Sequence, residues 1–351
     1  MVTGLLSSKS KKIGIGIIGL GNMGECHARN IHFQIPNAQV SAIMDINPQK
    51  LETAERTFGS VHFCSTALDL IHDPCVDAVV IASPDSTHAE LTLACLDANK
   101  SVLCEKPLAP TALEARKVIE KEIEIGRRLV QVGFMRHYDP AHVRVKQSVE
   151  AGVVGRPILF KGFHRNESPD PYTEDEFSEG VIINSAIHDL DSCRWLLGQE
   201  ITTVHAMGTN TDLSLGANAC DLITIHLSLS GGCLGMIDTY VNAKYGYEVG
   251  VEIVGEIGAI QTEPSTGNVL RSQRSSSQTI HADWLQRFEV AYLSQLHAWC
   301  ASLDGATDNT PTAWDGYSSL IAAEACVRSL QNGTSEQVSY GPMPDFYAAS
   351  N

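Results

Sequence analysis

Two short stretches carry side chains able to take up a proton and to steady a negative charge. One is Cys104-Glu105-Lys106-Pro107, which puts an ammonium next to a carboxylate at the end of an apolar run. The other is Asn184-Ser-Ala-Ile-His188-Asp-Leu-Asp191, where spacings of four and three place Asn184, His188 and Asp191 on one helical face. An imidazole titrates near neutrality and suits a general base, and a lysine offers fixed positive charge where an oxyanion forms. These are the parts needed to deprotonate a hydroxyl. They do not include an acceptor for a hydride.

A third stretch supplies the place for one. Gly19-Leu-Gly21-Asn22-Met23-Gly24 follows the apolar run Ile13–Ile18 and opens a helix. Gly19 permits the tight turn, Gly21 lets a pyrophosphate approach the backbone, and Gly24 allows close helix–strand packing. The phosphates then meet unpaired N–H groups at the helix start, around Asn22 and Met23. Asp45 ends the next apolar run, 21 residues after Gly24, where it can accept both hydroxyls of an adenosine ribose. A carboxylate there repels a 2′-phosphate, and Ile46-Asn47-Pro48 offers no arginine to bind one. The pattern therefore predicts NAD rather than NADP as the cofactor.

The elements that position these residues change rhythm once. Up to residue 133, apolar strands alternate with helices, which implies βαβ units: an α/β, doubly wound parallel sheet of the Rossmann kind over 12–133. From 134 to 351 the pattern predicts an α+β domain on a largely antiparallel open sheet. Its helices fall near 140–151, 181–197, 284–303 and 312–331, and its long strands near 157–164, 201–208, 220–229, 233–241 and 248–254. Asn166–Glu179 reads as a polar loop, and Ser272–Ser277 as a mobile low-complexity one.

Composition narrows the partners. The chain has 351 residues, 43% hydrophobic and 19% charged, with a formal net charge of −16. That balance excludes nucleic acid and anionic membrane as main partners, and no apolar run is long enough to span a bilayer. Residues 1–11 read as a disordered leader rather than a secretory signal. Ten cysteines lie scattered with no close pair, as expected for buried thiols in a reducing cytoplasm. Thirteen histidines form no compact ligand motif, so no metal is expected.

Across nearly its whole length the sequence resembles the glucose–fructose oxidoreductase / inositol dehydrogenase / MocA oxidoreductases. The resemblance rests on Gly19–Gly24, on Ile81-Ala-Ser83-Pro84 followed by His88, on Glu105-Lys106-Pro107, and on the His188 helix. Further stretches resemble the inositol 2-dehydrogenase branch: Gly133-Phe-Met135-Arg136-His-Tyr-Asp139, His164-Arg-Asn166, Lys244–Gly255 and Ala313–Tyr317. The resemblance implies oxidation of a ring hydroxyl of a cyclic polyol to a ketone. Lys106 would bind the hydroxyl and steady the alkoxide, and His188 would take the proton. Met135, Arg136, His164, Asn166 and Tyr247 would line the polyol site with Asn184. Ser83, Pro84, His88 and Glu105 would serve the cofactor, Glu105 chiefly by anchoring its loop. It also implies a homo-oligomer, a tetramer packed through the second sheet. In one place the chain departs from these relatives: they usually carry Asp where it has Asn184. That leaves open another inositol isomer, an aminocyclitol, a sugar or a glycoside as substrate, and reduction as the direction. A catalytically silent NAD-binding regulator is the remaining alternative, and retention of Lys106 and His188 argues against it.

Overall fold

The apolar runs of the first third form six parallel strands: β1 (Ile13–Ile18), β2 (Ala38–Met44), β3 (His62–Phe63), β4 (Ala78–Ile81), β5 (Ser101–Cys104) and β6 (Val130–Val132). This computed structural model describes residues 12–173, 176–216, 218–263, 269–305 and 311–348. The strands stand in the order β3-β2-β1-β4-β5-β6, with every neighbouring pair parallel. Helices α1 (Asn22–Gln34), α2 (Pro48–Phe58), α3 (Ala67–His72), α4 (His88–Asp97) and α5 (Ala112–Ile125) make the crossovers. The chain order reverses between β1 and β4, and the loops beyond their carboxyl ends open the crevice where such sheets bind ligands. Strand β3, two residues long, and α3 carry too little periodicity to be foreseen from the sequence.

Beyond α6 (Pro140–Glu150) come β7 (Pro157–Arg165), the short helix α7 (Phe177–Gly180) and α8 (Ile187–Leu197). The remaining strands of a seven-stranded sheet are β8 (Ile201–Thr209), β9 (Leu222–Leu229), β10 (Leu234–Tyr240), β11 (Glu248–Gly255), β12 (Ala259–Gln261) and, near the end of the chain, β15 (Glu336–Gln337). Its order is β12-β11-β7-β10-β9-β8-β15, and only the β7–β10 pair is parallel. One face is covered by α8 and by α11 (Ala313–Asn332), which starts at a Thr312–Asp315 capping box. The opposite face is open, with Met207, Leu234 and Met236 exposed.

Two sequence expectations are corrected. Ser272–Ser277 is a hairpin, β13 (Val269–Ser272) paired with β14 (Ser275–Gln278), turning at Gln273 and Arg274, which have φ of 48° and 62°. Serine content hid a backbone ladder that needs no apolar face. The helix expected from 181 begins as a π turn over Val181–Ala186 and becomes α-helical only at Ile187. The expected leader at 1–11 lies outside the described residues.

Packing runs across the line at 133. Between α9 (Trp284–Arg287) and α11 lies α10 (Glu289–Leu303), whose Leu296, Trp299 and Cys300 share one core with Ile15 and Ile17 of β1 and Ile43 of β2. The nucleotide sheet thus owes part of one apolar covering to the far end of the chain.

Candidate active site

The glycine turn is built to leave room. Gly19 sits at φ +90°, and a Cβ on Gly24 would lie 1.9 Å from the Gly19 carbonyl oxygen, so neither tolerates a side chain. Gly21 caps α1 without a side-chain bond, and a Cβ there would meet nothing nearer than Ala82 O at 4.0 Å. The space in front of Gly21 and the free N–H groups of Asn22 and Met23 fit a dinucleotide pyrophosphate. Asp45 pins this turn to the end of β2: Leu20 N–H donates to its Oδ2 at 2.6 Å and Asn47 N–H to its Oδ1 at 2.7 Å. A carboxylate has about four acceptor positions, so two remain for ribose hydroxyls. Ile46 beside it is 88% exposed.

Ser83 and Pro84 follow β4 at the same edge, and the Ser83 hydroxyl bonds Thr87 Oγ1 at 2.6 Å. His88 is buried behind them. Its Nδ1 lies 2.7 Å from the Pro107 carbonyl and its Nε2 2.9 Å from that of Ser83. Burial opposes a charge on the ring, but Cys104, the Pro107 carbonyl and Asp85 raise its pKa to about 10. His88 therefore ties two loops together and keeps no ring nitrogen free to face a cofactor. Glu105 has a similar place: it bonds His27 Nε2 of α1 at 2.7 Å, linking the loop after β5 to the helix of the glycine turn.

Beside this edge lies a cavity of about 380 Å³ whose wall includes Met23, Glu105, Lys106, Met135, His164, Asn166, Asn184, His188 and Tyr247. The site thus brings together residues from α1, the loop after β5, the end of β7, the π turn, α8 and the segment just before β11. Lys106 Nζ donates to the Asn184 carbonyl at 3.2 Å, which aims it across the cavity. His188, 7% exposed, stands edge-on to Phe134 with its Nδ1 unpartnered. Burial, then the charges of Lys106, Arg136 and His164, hold its pKa well below 6.5. It is a neutral imidazole able to accept a proton.

Arg136 does not join the wall. It is 1% exposed, and its guanidinium donates to Asp189 Oδ1 at 2.6 Å and Oδ2 at 3.3 Å. Asp189 also meets His164 Nδ1 at 3.3 Å, and His164 Nε2 is 3.0 Å from the Asn166 amide. The buried pair thus orients His164 and Asn166, which do face the cavity. Asp191 turns away and holds His137 at 2.8 Å, so the expected single face of Asn184, His188 and Asp191 keeps only its first two members. Asp191 stands in the regular part of α8, three residues beyond His188, and its bond to His137 keeps it on the neighbouring side of the helix.

Several wall residues carried no advance signal: Glu167 and Asp170 in the loop after β7, and Asp283 and Trp284 at α9. Only their place after matched stretches marked these loops. Away from the cavity, His62, Cys64 and Asp73 hold possible metal-ligand atoms within 4.8 Å of one another, with His62 bonded to Asp73.

A crevice for a dinucleotide, an ammonium and a neutral imidazole at one cavity define an NAD-binding Rossmann oxidoreductase. The profile of the oxidoreductase family with NAD-binding Rossmann fold matches residues 13–134, and that of its C-terminal alpha/beta domain matches 146–339. The chain belongs to this family, that of glucose–fructose oxidoreductase, inositol dehydrogenase and MocA. It is 48% identical over 339 residues to an inositol 2-dehydrogenase of Rubrobacter xylanophilus, covering 96% of each chain. Inositol 2-dehydrogenase 1 of Saccharopolyspora erythraea is 37% identical over 95% of this chain and 99% of its own. Among solved structures, the myo-inositol dehydrogenase of Lactobacillus casei with NAD(H) and myo-inositol superposes with a TM-score of 0.89 at 29% identity, covering 96% and 99% of the two chains. The scyllo-inositol dehydrogenase of the same organism, with NAD(H) and scyllo-inositol, gives 0.87 at 26% identity, covering 93% and 99%.

Proposed function

We propose that this protein oxidises a ring hydroxyl of an inositol to the corresponding ketone, as an inositol 2-dehydrogenase does. The observation that carries the reading is the convergence of Lys106 Nζ and the unprotonated His188 on one cavity beside the glycine turn. NAD⁺, when bound, supplies the hydride acceptor. The glycine turn and Asp45 hold it, and Lys106 draws electron density from the substrate oxygen. His188 takes the hydroxyl proton, while His164, Asn166 and Tyr247 bind the remaining hydroxyls. Arg136 acts at one remove, through Asp189 and His164.

Asn184 supports a second reading, a sibling dehydrogenase or ketone reductase for another cyclitol, sugar or glycoside. An amide offers both a donor and an acceptor where a carboxylate offers acceptors alone. A spectrophotometric screen for NADH formation with inositol isomers, aminocyclitols and common sugars tests both. Turnover of myo-inositol above all others supports the first reading, and turnover of none supports the silent regulator.

The open face of the second sheet, with Met207, Leu234 and Met236, supports a homotetramer packed through it. Ten free cysteines, seven of them buried, support a cytoplasmic setting.

A further inference from the structure

The charges around the cavity are unequal. Four carboxylates line it, those of Glu105, Glu167, Asp170 and Asp283, against the single ammonium of Lys106. Two of the four are engaged: Glu105 by His27 at 2.7 Å, and Asp283 by the Gln286 N–H at 2.9 Å, as the cap of α9. Glu167 and Asp170 have no cation partner among the described residues; the only side-chain bond to either is a Tyr172 hydroxyl 3.4 Å from Asp170. Both are exposed and stand on the loop that continues from His164 and Asn166. Deeper in the same cavity, beside the buried Tyr247, His188 is 7% exposed and its Nδ1 has no hydrogen-bond partner among the described residues. An unsatisfied imidazole nitrogen at the base thus faces the space for a ligand, and unneutralised negative charge stands at the mouth. A polyol needs acceptors but not free charges, whereas a charged ligand senses them directly.

We propose that this cavity recognises a positively charged cyclitol, a ring with one hydroxyl replaced by a protonated amine, and disfavours anionic ones such as inositol phosphates. The inference rests on the polyol reading of the site and narrows its substrate class. Glu167 and Asp170 receive the ammonium, while a hydroxyl elsewhere on the ring meets Lys106 and His188. In the reaction the carbinol carbon loses a hydride to NAD⁺, the hydroxyl loses its proton to His188 and the carbonyl forms. The ammonium keeps its protons throughout.

The test uses the full chain loaded with NAD⁺ and three ligands: scyllo-inositol, its monoamino-monodeoxy analogue and myo-inositol 1-phosphate. Calorimetric Kd values at neutral pH are compared for the native protein and for E167Q/D170N, at low and high salt. Exposed charge pairs contribute modestly, so the amine should bind about three- to ten-fold more tightly than scyllo-inositol. The phosphate should bind more weakly than either. Both differences should shrink in the double variant and in salt, with NADH affinity unchanged as the check on folding. An amine that binds no better than the neutral ring, or a preference that survives E167Q/D170N, overturns the proposal. Neutral inositols turned over with no gain for the amine would reject the charge preference and leave the dehydrogenase reading intact. No turnover of any cyclitol would reject that reading, and the Kd comparison would still decide the charge preference.

Discussion

Burial, followed by the nearby charges of Lys106, Arg136 and His164, holds the pKa of His188 well below 6.5. Asn184 allows this, since an amide adds no negative charge to offset them. Asn184→Asp is expected to favour the imidazolium and raise the apparent pKa of the kcat/KM–pH profile on its acid side. It should also reorder the inositol isomers, because one donor is lost; an unchanged profile and ranking would mean that Asn184 does not act on His188 or on substrate. Lys106→Ala should lower kcat by about 10²–10³ while NADH affinity, read by fluorescence titration, stays near that of the native protein. Retention of more than about a tenth of kcat would reject its role at the alkoxide. At the glycine turn, Asp45 holds the Leu20 and Asn47 N–H groups, and on the proposed reading it would also receive the ribose hydroxyls. Asp45→Ala should therefore weaken NAD binding and, by removing the repulsion of a 2′-phosphate, narrow the preference for NAD. With Ile46→Arg added the kcat/KM ratio should move further toward NADP, and equal use of both cofactors by the native protein would refute the assignment.

Elements differ in how clearly the sequence announces them. The strand–glycine–helix unit at 13–34 was legible because Gly19 and Gly24 answer steric demands of the turn and Gly21 leaves room in front of it. Lys106 and His188 stood out in the sequence by residue type and setting, and both lie on the cavity. Arg136 was not legible as buried, because its Asp189 partner lies 53 residues away. The π turn left no trace in apolar spacing, and the acidic loop 167–170 acquires meaning only when β7 and α8 bring it to the cavity mouth. The dependence of the first sheet on α10 was equally hidden, since pattern reading treats 12–133 as self-contained. Trp299, 2% exposed, packs in that shared core. Trp299→Ala should cost about 3–5 kcal/mol of stability, read as a lowered thermal midpoint. A change within error of the native value would show that α10 does not support the sheet.

For the molecule as a whole, buried histidines of two kinds make stability depend on pH in opposite directions. Burial lowers the pKa of His142, His164 and His188 in the folded state. An unfolded histidine titrates near pH 6.5, so below that the unfolded chain binds more protons than the folded one, and stability falls with acid. Asp189, held down to about 2 chiefly by Arg136 against the cost of burial, stays ionised across this range and does not contribute to the slope. His88 has the opposite sign. Its folded pKa of about 10 lies above the unfolded value. Its contribution is complete below about pH 6.5 and is lost progressively as pH rises toward 10. Thermal midpoints measured from pH 5 to 7.5, where unfolded thiols stay largely protonated, should therefore peak near pH 6.5. His88→Gln keeps a donor toward the loop carbonyls but removes the charge. It should flatten the alkaline limb and leave the acid limb in place. An alkaline limb that persists in His88→Gln would mean that His88 is neutral in the fold, one ring nitrogen facing a carbonyl oxygen with no proton between them.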